Sequence, residues 1–395
     1  MKLGKEPVLE LAVITTYSPQ PPLTTLHFLK KIGVYKFLPE ENVSVEELKK
    51  RKFSDEFCEF WQEAQSATIS GEREGLRSFL EEKFSDLKTR LDMIDFRLQT
   101  YLMALNTFLL VLPLILSVMT IFTGTEAVQP LVFIPLCSLP IALVPPLILM
   151  PREMSLKNPR PLVFAPIVAA TLVYFFTRNI LLLALLSIPS SALTFIEEKK
   201  ALKEIEEAGR ILRKAAQSPN IKFIEIKDPE ELLERGFGFS KALLVALYIQ
   251  LAFLQTKSYF KAVSKLLSIF REYHSSLKKI RERAGSVLLV GLIIITVAAA
   301  SFAIVFYTVS NTSRIAREIP YSTYRLRPLS EHELLDLRFK LLEVLAAMSL
   351  ALSVLATTRE ANPLYFPLYL PLLILVSYFT FEACLQIVPL WLGTW

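Results

Sequence analysis

The stretch ALLVALYIQLAFLQ, residues 242–255, decides how this chain is divided between water and membrane. It is apolar enough to resemble a membrane span, but it is short and contains Gln250 and Gln255. Apolar runs of 10–14 residues are more often buried or interfacial helices than spans. We therefore expect the core helix of a soluble region. If the stretch crossed a bilayer instead, every later segment would lie on the opposite side.

Outside this stretch, the chain separates into strongly apolar and strongly charged segments. Of its 395 residues, 52% are hydrophobic, and the mean hydropathy is +0.42. Such segregation is typical of proteins that meet both water and lipid. The charged segments are residues 1–99 and 196–285, and the second has more Lys and Arg than Asp and Glu, a balance suited to an anionic membrane surface. The predicted fold class is an all-α polytopic membrane protein.

The apolar segments predict about seven transmembrane helices. Residues 161–195 are apolar except at Arg178 and Asn179, and one helix of this length would extend about 50 Å, too long for a bilayer. A hairpin of two short spans, with Arg178 at the far surface, fits better. The predicted spans are residues 101–122, 131–150, two within 161–195, 286–309, 341–357 and 363–390.

These spans define the predicted domains. The series is an N-terminal segment with a first helical bundle (1–99), four spans (100–195), a second bundle (196–285), one span (286–309), a loop outside the cytoplasm (310–340) and two spans (341–395). Bases near the span ends place both bundles in the cytoplasm, because Lys and Arg accumulate on that side. Five arginines in the loop 310–338 oppose this orientation. The sequon at Asn311 is a possible glycosylation site on the predicted outer face, and Asn42 would lie inside.

The two charged regions share one arrangement. In the first, Ser54 starts a helix whose apolar face begins at Phe57, and Ser70-Gly71 ends it. The next helix carries a stripe formed by Leu76, Phe79, Leu80, Leu87, Leu91 and Ile94. In the second region the stripe before span five is formed by Phe260, Val263, Leu267, Phe270 and Leu277. Both stripes are typical of helical-bundle cores, and together they predict a duplicated bundle-plus-span unit.

Two such bundles, each leading into membrane spans, resemble the platform proteins of type IV pilus-like machines, the type II secretion F-domain family with its Tad-type and archaellum members. The resemblance is carried by SDEFCEFWQEAQSA, starting at Ser54, and by GFSKALL, starting at Gly238. The first region departs from the second, since Ile69-Ser70-Gly71-Glu72 lacks the Ala-Leu that follows Ser240. The resemblance implies a non-catalytic scaffold that couples a cytoplasmic secretion ATPase to pilin-like subunits in the membrane.

The sequence lacks the common residue patterns of catalytic sites. The sequence contains no G-x-x-x-x-G-K-[ST], G-x-G-x-x-G or H-E-x-x-H, and its three histidines are isolated. The three cysteines are widely spaced and form no metal-binding or disulfide pattern. We therefore expect no enzyme, no cofactor, no metal and no nucleic-acid partner.

The functional interpretation is a membrane platform for filament assembly or secretion, in contact with lipid, an ATPase and pilin-like subunits, and forming a homodimer. The predicted docking residues are basic and lie beside the membrane: Lys278, Lys279, Arg281, Arg283, Lys88 and Arg90. The same bases would also be expected without any docking role, because Lys and Arg accumulate on the cytoplasmic side of a membrane. The alternative is a transporter or channel subunit, for which Glu343 and Glu382 are the candidate intramembrane polar residues. Lys340 can pair with Glu343 at i,i+3, which would make that acid structural.

Overall fold

The structure, a computed structural model, describes residues 6–40, 43–111, 115, 119, 129–217, 230–253, 259–318 and 329–392. These residues are helical without any strand, as the all-α prediction requires. Four described helices are long and apolar enough to cross a membrane, and they indicate a membrane protein. They are Ile180–Gln217, Tyr259–Ile315, Glu331–Arg359 and Leu370–Leu390.

The described residues divide into two compact units. Unit 1 is formed by the described parts of residues 1–93, 151–157 and 199–279. Unit 2 is formed by those of 94–150, 158–198 and 280–395. Both charged regions of the sequence contribute to unit 1.

Unit 1 begins with short helices whose ends follow local sequence signals. They are α1 (Val8–Tyr17), α2 (Pro22–Lys31), α3 (Val45–Lys50) and α4 (Asp55–Ser70). The Ser54 hydroxyl accepts a hydrogen bond from the Phe57 N–H at 3.2 Å, which caps the start of α4. Gly71, at φ 76°, ends that helix in the left-handed conformation that glycine adopts without strain. The predicted cap and the predicted break are both present.

Unit 1 is completed by parts of longer helices and by two short ones. The helices are α5 (Glu74–Asn106), α8 (Ile180–Gln217), α9 (Glu231–Glu234), α10 (Gly238–Ala252) and α11 (Tyr259–Glu318). All six predicted stripe residues of α5 are buried. On α11 the predicted stripe is buried except for Phe260, which is 45% exposed; its neighbour Tyr259 is buried instead.

Helix α10 contains most of the apolar stretch 242–255, and it is a buried core helix of unit 1. Ten of its residues are buried, from Phe239 to Gln250. It packs against α1, and the Gln250 side-chain amide donates a hydrogen bond to the Tyr17 carbonyl. A polar side chain with a backbone partner is what a soluble core tolerates. Gln255 lies outside the described residues.

Unit 2 contains the remaining helical segments. They are a π-helical turn (Thr107–Val111), α6 (Gln129–Val144), a second π-helical turn (Pro145–Leu149), a 3-10 segment (Pro161–Phe164), α7 (Ala165–Thr177), α12 (Glu331–Ala356), two 3-10 segments (Thr357–Arg359 and Pro363–Leu368) and α13 (Leu370–Leu392). Helix α12 packs against α6 and α13. Residues on its buried face share one apolar core with the second half of α11, including Ala298, Ala299 and Phe302. Small residues at such seams allow close helix approach.

The predicted break within residues 161–195 is present. Helix α7 ends at Thr177, Arg178 is left-handed at φ 51°, and α8 begins at Ile180. The Asn179 side-chain oxygen accepts a hydrogen bond from the Leu182 N–H at 3.2 Å, as at a helix start. Beyond residue 195, however, α8 continues to Gln217 without interruption.

The prediction of seven spans is only partly tested. Spans four to seven correspond to the four long apolar helices, whereas Phe133–Leu149 and Pro161–Thr177 are shorter apolar helices. Most of the second half of span one lies outside the described residues. Within the predicted connection 310–340, α11 reaches Glu318 and α12 starts at Glu331. The Ser330 hydroxyl accepts a hydrogen bond from the Glu333 N–H at 3.2 Å and caps the start of α12.

Candidate functional site

The predicted docking residues divide into exposed bases and one buried base. Arg281 was predicted to be available for docking, but its side chain is only 12% exposed and pairs with Glu198. An arginine held in this way contributes to structure rather than to a binding surface. The other five bases are exposed: Lys88, Arg90, Lys278, Lys279 and Arg283.

A buried network of charged and hydroxyl groups forms one end of unit 2, and we term it the ionic cluster. Arg281 and Arg359 both donate to Glu198, the second across 3.4 Å. The Arg359 Nε lies 3.6 Å from the Glu360 carboxylate. The Tyr369 hydroxyl donates to Glu360 Oε1 at 2.8 Å. Two guanidinium groups thus face two carboxyl groups, a balance of charge that buried ions require.

Glu360 is the most deeply buried acid of the ionic cluster. It is fully buried, and its Oε2 forms no hydrogen bond with any described residue. The pKa of the Glu360 carboxyl is raised to about 7, first by burial and then by the nearby Glu198 carboxylate. Arg281, the Tyr369 hydrogen bond and Arg359 only partly offset these effects. Glu360 therefore changes its charge near neutral pH.

Local geometry explains why four separate segments meet at the ionic cluster. A 3-10 turn at Thr357–Arg359 follows α12 and directs Arg359 and Glu360 toward Glu198 on α8. Asn362 donates to the Asn158 side-chain oxygen at 2.9 Å, and Arg160 lies 3.8 Å from Glu197. These segments were all predicted to lie on the same side of the membrane.

A second group of polar contacts lies farther along the same helices. The Tyr174 hydroxyl donates to Glu343 at 2.9 Å. The Arg338 guanidinium bonds both oxygens of Glu382, at 2.6 and 2.7 Å. Lys340 was predicted to pair with Glu343 but instead lies 2.8 Å from Asp336. Lys340 thus pairs with the acid one turn before it on the same helix, at i,i+4 spacing. Glu343 is bonded instead by Tyr174, which comes from a distant segment of the chain.

Among the described residues of unit 1, one acid is comparable. Glu10 of α1 accepts a hydrogen bond from the Tyr35 hydroxyl at 2.8 Å. Burial raises the pKa of the Glu10 carboxyl to about 7, although the Tyr35 hydrogen bond lowers it. A lone acid within an apolar helical run, VLELAVI, was the available signal for this residue. An acid between two apolar runs was the corresponding signal for Glu360.

The possible glycosylation site does not lie in a loop. Asn311 is within α11, and its side-chain oxygen is 3.3 Å from the Arg314 guanidinium. Ser313, the third sequon residue, is buried and accepts from the Leu329 N–H at 3.3 Å. A helical sequon with a buried hydroxyl is a poor acceptor, since acceptor sites are surface loops. Asn42 lies outside the described residues.

Comparisons with known proteins add no assignment: no protein-family model, no curated protein and no solved structure matches the chain. Among the described residues, no three His, Cys, Asp or Glu side chains are placed to hold a metal ion. The groups that the structure brings together are thus a buried ionic cluster and two polar pairs farther along the same helices.

Proposed function

We propose that the chain is a non-catalytic membrane platform that transmits movement between a cytoplasmic motor and subunits in the bilayer. The observation that supports this best is that α5, α8 and α11 each contribute residues to both units. A continuous helix keeps its hydrogen bonds throughout and transmits displacement along its axis. Three such helices are suited to carry movement from a soluble unit to membrane spans.

The ionic cluster supports the same proposal. Glu198 is the last residue of unit 2 on α8, and Arg281 follows closely after α11 enters unit 2. Their ion pair joins the two helices beside the residues at which each changes unit. A buried pair of this kind fixes helix register, because sliding would leave both charges unpaired. Movement of α8 is then shared with α11.

The partners in the proposal follow from charge and from the resemblance to F-domain platforms. The bases beside the spans favour a cytoplasmic unit 1. A secretion ATPase would bind the exposed bases Lys88, Arg90, Lys278, Lys279 and Arg283, and pilin-like helices would pack against the spans. The energy would come from the ATPase.

Charge reversal at two adjacent lysines tests the docking surface. Lys278→Glu with Lys279→Glu should abolish filament assembly and reduce copurification of the ATPase, while the protein still inserts. The matched control is Lys49→Glu with Lys50→Glu, an exposed pair of lysines elsewhere in unit 1. Normal assembly in the first variant, or equal loss in both, would contradict docking at this surface.

A transporter or channel subunit is the second candidate. The observation in its favour is the pair of polar contacts, Tyr174–Glu343 and Arg338–Glu382, on apolar helices. Ionisable groups at such depth are common in proton and ion pathways. Glu382→Gln distinguishes the two: a proton-coupled carrier would lose solute uptake, whereas a platform would retain its function or change only in assembly.

A further inference from the structure

We propose that Glu360 is a proton-binding site whose ionisation redirects Arg281. While Glu360 is protonated, the Arg281 guanidinium bonds Glu198 alone; once the proton has left, the guanidinium bridges Glu198 and Glu360. The ligand is a proton, and the device is a switch in the pairing of one arginine within unit 2. The pairing itself does not depend on the platform proposal, whereas the use of the switch in transmitting movement rests on that proposed function.

The switch is indicated by one unused donor and one unused acceptor in the ionic cluster. Arg281 bonds Glu198 through Nη2, while its Nη1 is buried and has no hydrogen-bond partner among the described residues. Glu360 accepts at Oε1 from Tyr369, while its Oε2 is buried and equally unpartnered within the same part of the chain. A buried polar atom without a partner costs free energy. A bond between Arg281 Nη1 and Glu360 Oε2 would satisfy both atoms.

Short contacts connect the two residues that carry these atoms. Arg281 and Arg359 both donate to Oε1 of Glu198, and the Arg359 Nε lies 3.6 Å from Glu360 Oε1. Arg281 is close enough to Glu360 for its charge to lower the pKa of that carboxyl. A guanidinium presents its N–H donors in a planar fork and can bond two carboxylates through different nitrogens. Rotation about the terminal bonds of Arg281 therefore lets Nη1 approach Glu360 while Nη2 stays beside Glu198.

The arrangement in the structure suits a protonated Glu360. Burial, followed by the Glu198 carboxylate, raises the pKa of the Glu360 carboxyl to about 7. A fully buried carboxylate would need donors at both oxygens, and among the described residues only Oε1 receives a hydrogen bond. With Glu360 neutral, two guanidinium groups face one carboxylate. The excess positive charge is tolerated because the Arg359 side chain is 36% exposed and shares its charge with water.

Ionisation of Glu360 transfers its proton to water and leaves a second carboxylate in the ionic cluster. The proton leaves on the side of Arg359, the most exposed member of the cluster. Two carboxylates then face two guanidinium groups, and the bare Oε2 attracts the unused donor of Arg281. The charged and titratable groups around Glu360 are Glu198 of α8, Arg281 of α11, Arg359 of the turn after α12, and Tyr365 and Tyr369 before α13.

The switch changes which helices are held together. Glu198 lies on α8 and Arg281 on α11, so their bond joins these two helices in both states. Glu360 follows the 3-10 turn after α12, so the added bond joins α11 to the α12–α13 connection only when Glu360 is ionised. Proton binding thus frees this connection from α11. In the platform proposal, α8 and α11 would then move as a pair without displacing α12 and α13.

Arg281→Lys separates charge from bonding at the switch. A lysine keeps the positive charge beside Glu198, but its single ammonium group lacks the fork that reaches both acids. Infrared titration of the carboxyl C=O band follows protonation of Glu360 in the full-length protein, and the loss of this band in Glu360→Gln assigns it. We expect Arg281→Lys to raise the proton affinity of Glu360 about tenfold, because the carboxylate loses a charge-assisted hydrogen bond.

The matched control for this titration is Arg235→Lys, which alters an exposed pair with Glu231 in unit 1. It should leave the proton affinity of Glu360 unchanged. An affinity in Arg281→Lys that equals the wild-type value, or falls below it, would overturn the proposal.

Distances between spin labels test the change in helix contacts, after the three native cysteines have been replaced by serine or alanine. Labels at Ser286→Cys on α11 and Leu364→Cys in the α12–α13 connection report on the switched contact. Labels at Ser286→Cys and Ile196→Cys on α8 form the matched pair, which reports on the permanent contact. All three positions are exposed. The purified full-length protein is measured in phosphatidylcholine nanodiscs without any partner protein.

We expect the distances between positions 286 and 364 to be narrowly distributed at about pH 8.5 and broadly distributed at about pH 5.5, because only ionised Glu360 holds Arg281. Glu360→Gln should give the broad distribution at both. Glu10 titrates over the same range, so this variant assigns the change to Glu360. Distances between positions 286 and 196 should not change. A first pair that ignores pH, or a second that responds equally, would overturn the switch, whereas failure of filament assembly would not affect either measurement.

Discussion

Units 1 and 2 have opposite distributions of apolar and charged side chains. Unit 1 buries its apolar stripes and exposes its charges, as a soluble bundle does. Unit 2 exposes large apolar side chains along α7, α8 and α11, and it buries Glu198 and Glu360. Apolar helix faces are therefore buried in unit 1 and exposed in unit 2, because each unit is adapted to a different solvent.

The same contrast between the units is present in two single helices, α10 of unit 1 and α7 of unit 2. Both are short and apolar, and neither contains a charged residue except Lys241 at the start of α10. Ten residues of α10 are buried, whereas Ala170 is the only buried residue of α7. Hydropathy and length do not separate a core helix from a lipid-facing helix. The two kinds of helix differ in whether neighbouring helices cover their apolar surface.

The largest expected difference between the units concerns ion pairs. Glu198→Gln should lower the free energy of unfolding by about 3–5 kcal/mol, because it leaves Arg281 buried without its counter-ion. The matched control Glu231→Gln breaks an exposed pair with Arg235 and should cost about 0.3–0.5 kcal/mol. Denaturant titration in mixed micelles, followed by circular dichroism, measures both. Equal costs would mean that the ionic cluster is solvated.

The next largest difference concerns apolar side chains. Leu247→Ala in α10 should destabilise unit 1 by about 2–5 kcal/mol, since the residue is fully buried and leaves a cavity. Phe176→Ala in α7 should leave unit 1 unchanged, because its side chain is 89% exposed. The buried thiol of Cys58 reports on unit 1, once Cys137 and Cys384 have been replaced. Its reactivity during heating should shift to lower temperature only in the Leu247 variant. A shift of the same size in both variants would contradict the contrast.

The smallest difference concerns pH, because the part of each unit that the structure describes includes one acid with a raised pKa. The carboxyl groups of Glu10 and Glu360 titrate near 7 when folded, against an ordinary value of 4.5. Between these values the folded protein binds more protons than the unfolded chain. The free energy of unfolding should therefore fall as pH rises from about 4.5 to about 7, by about 2–3 kcal/mol for the fully buried Glu360.

Substitution assigns the pH dependence to each unit. Glu10→Gln should remove it from the Cys58 signal of unit 1. Glu360→Gln should remove it from the unfolding of unit 2 and leave the signal of unit 1 unchanged. If the free energy of unfolding of the wild-type protein rises between about pH 4.5 and about pH 7, the predicted direction of the pH dependence is wrong.

Much of the fold was predictable where a local signal and burial agree. The cap at Ser54, the break at Gly71 and the turn at Arg178 are all encoded within a few residues, and each is present. The stripe of α5 was predictable because helical periodicity selects one face for burial. The exposure of Phe260 was not predictable. This residue lies at the start of a helix, and the adjacent Tyr259 occupies the core instead.

The candidate site was less predictable. Arg281 belongs to a run of bases that was predicted to be exposed, and only its pairing with Glu198, 83 positions earlier, removes it from the surface. The partner of Glu343 proved to be Tyr174, 169 positions away, rather than a residue of the same helix. Contacts across such distances depend on which helices become neighbours, and no local pattern specifies that.

The sequence by itself determined the solvent of each segment. Hydropathy, charge and helix-end signals act within a few residues of each other, and they identify which segments suit water and which suit lipid. Only the tertiary structure decided which segments share a core. It brought the two charged regions into one unit, covered residues 238–252 with α1, and paired the charges of four segments in the ionic cluster. The stretch from Ala242 is apolar, as α7 is, but it lies in the core of unit 1 because other helices surround it, whereas α7 stays largely exposed because they do not.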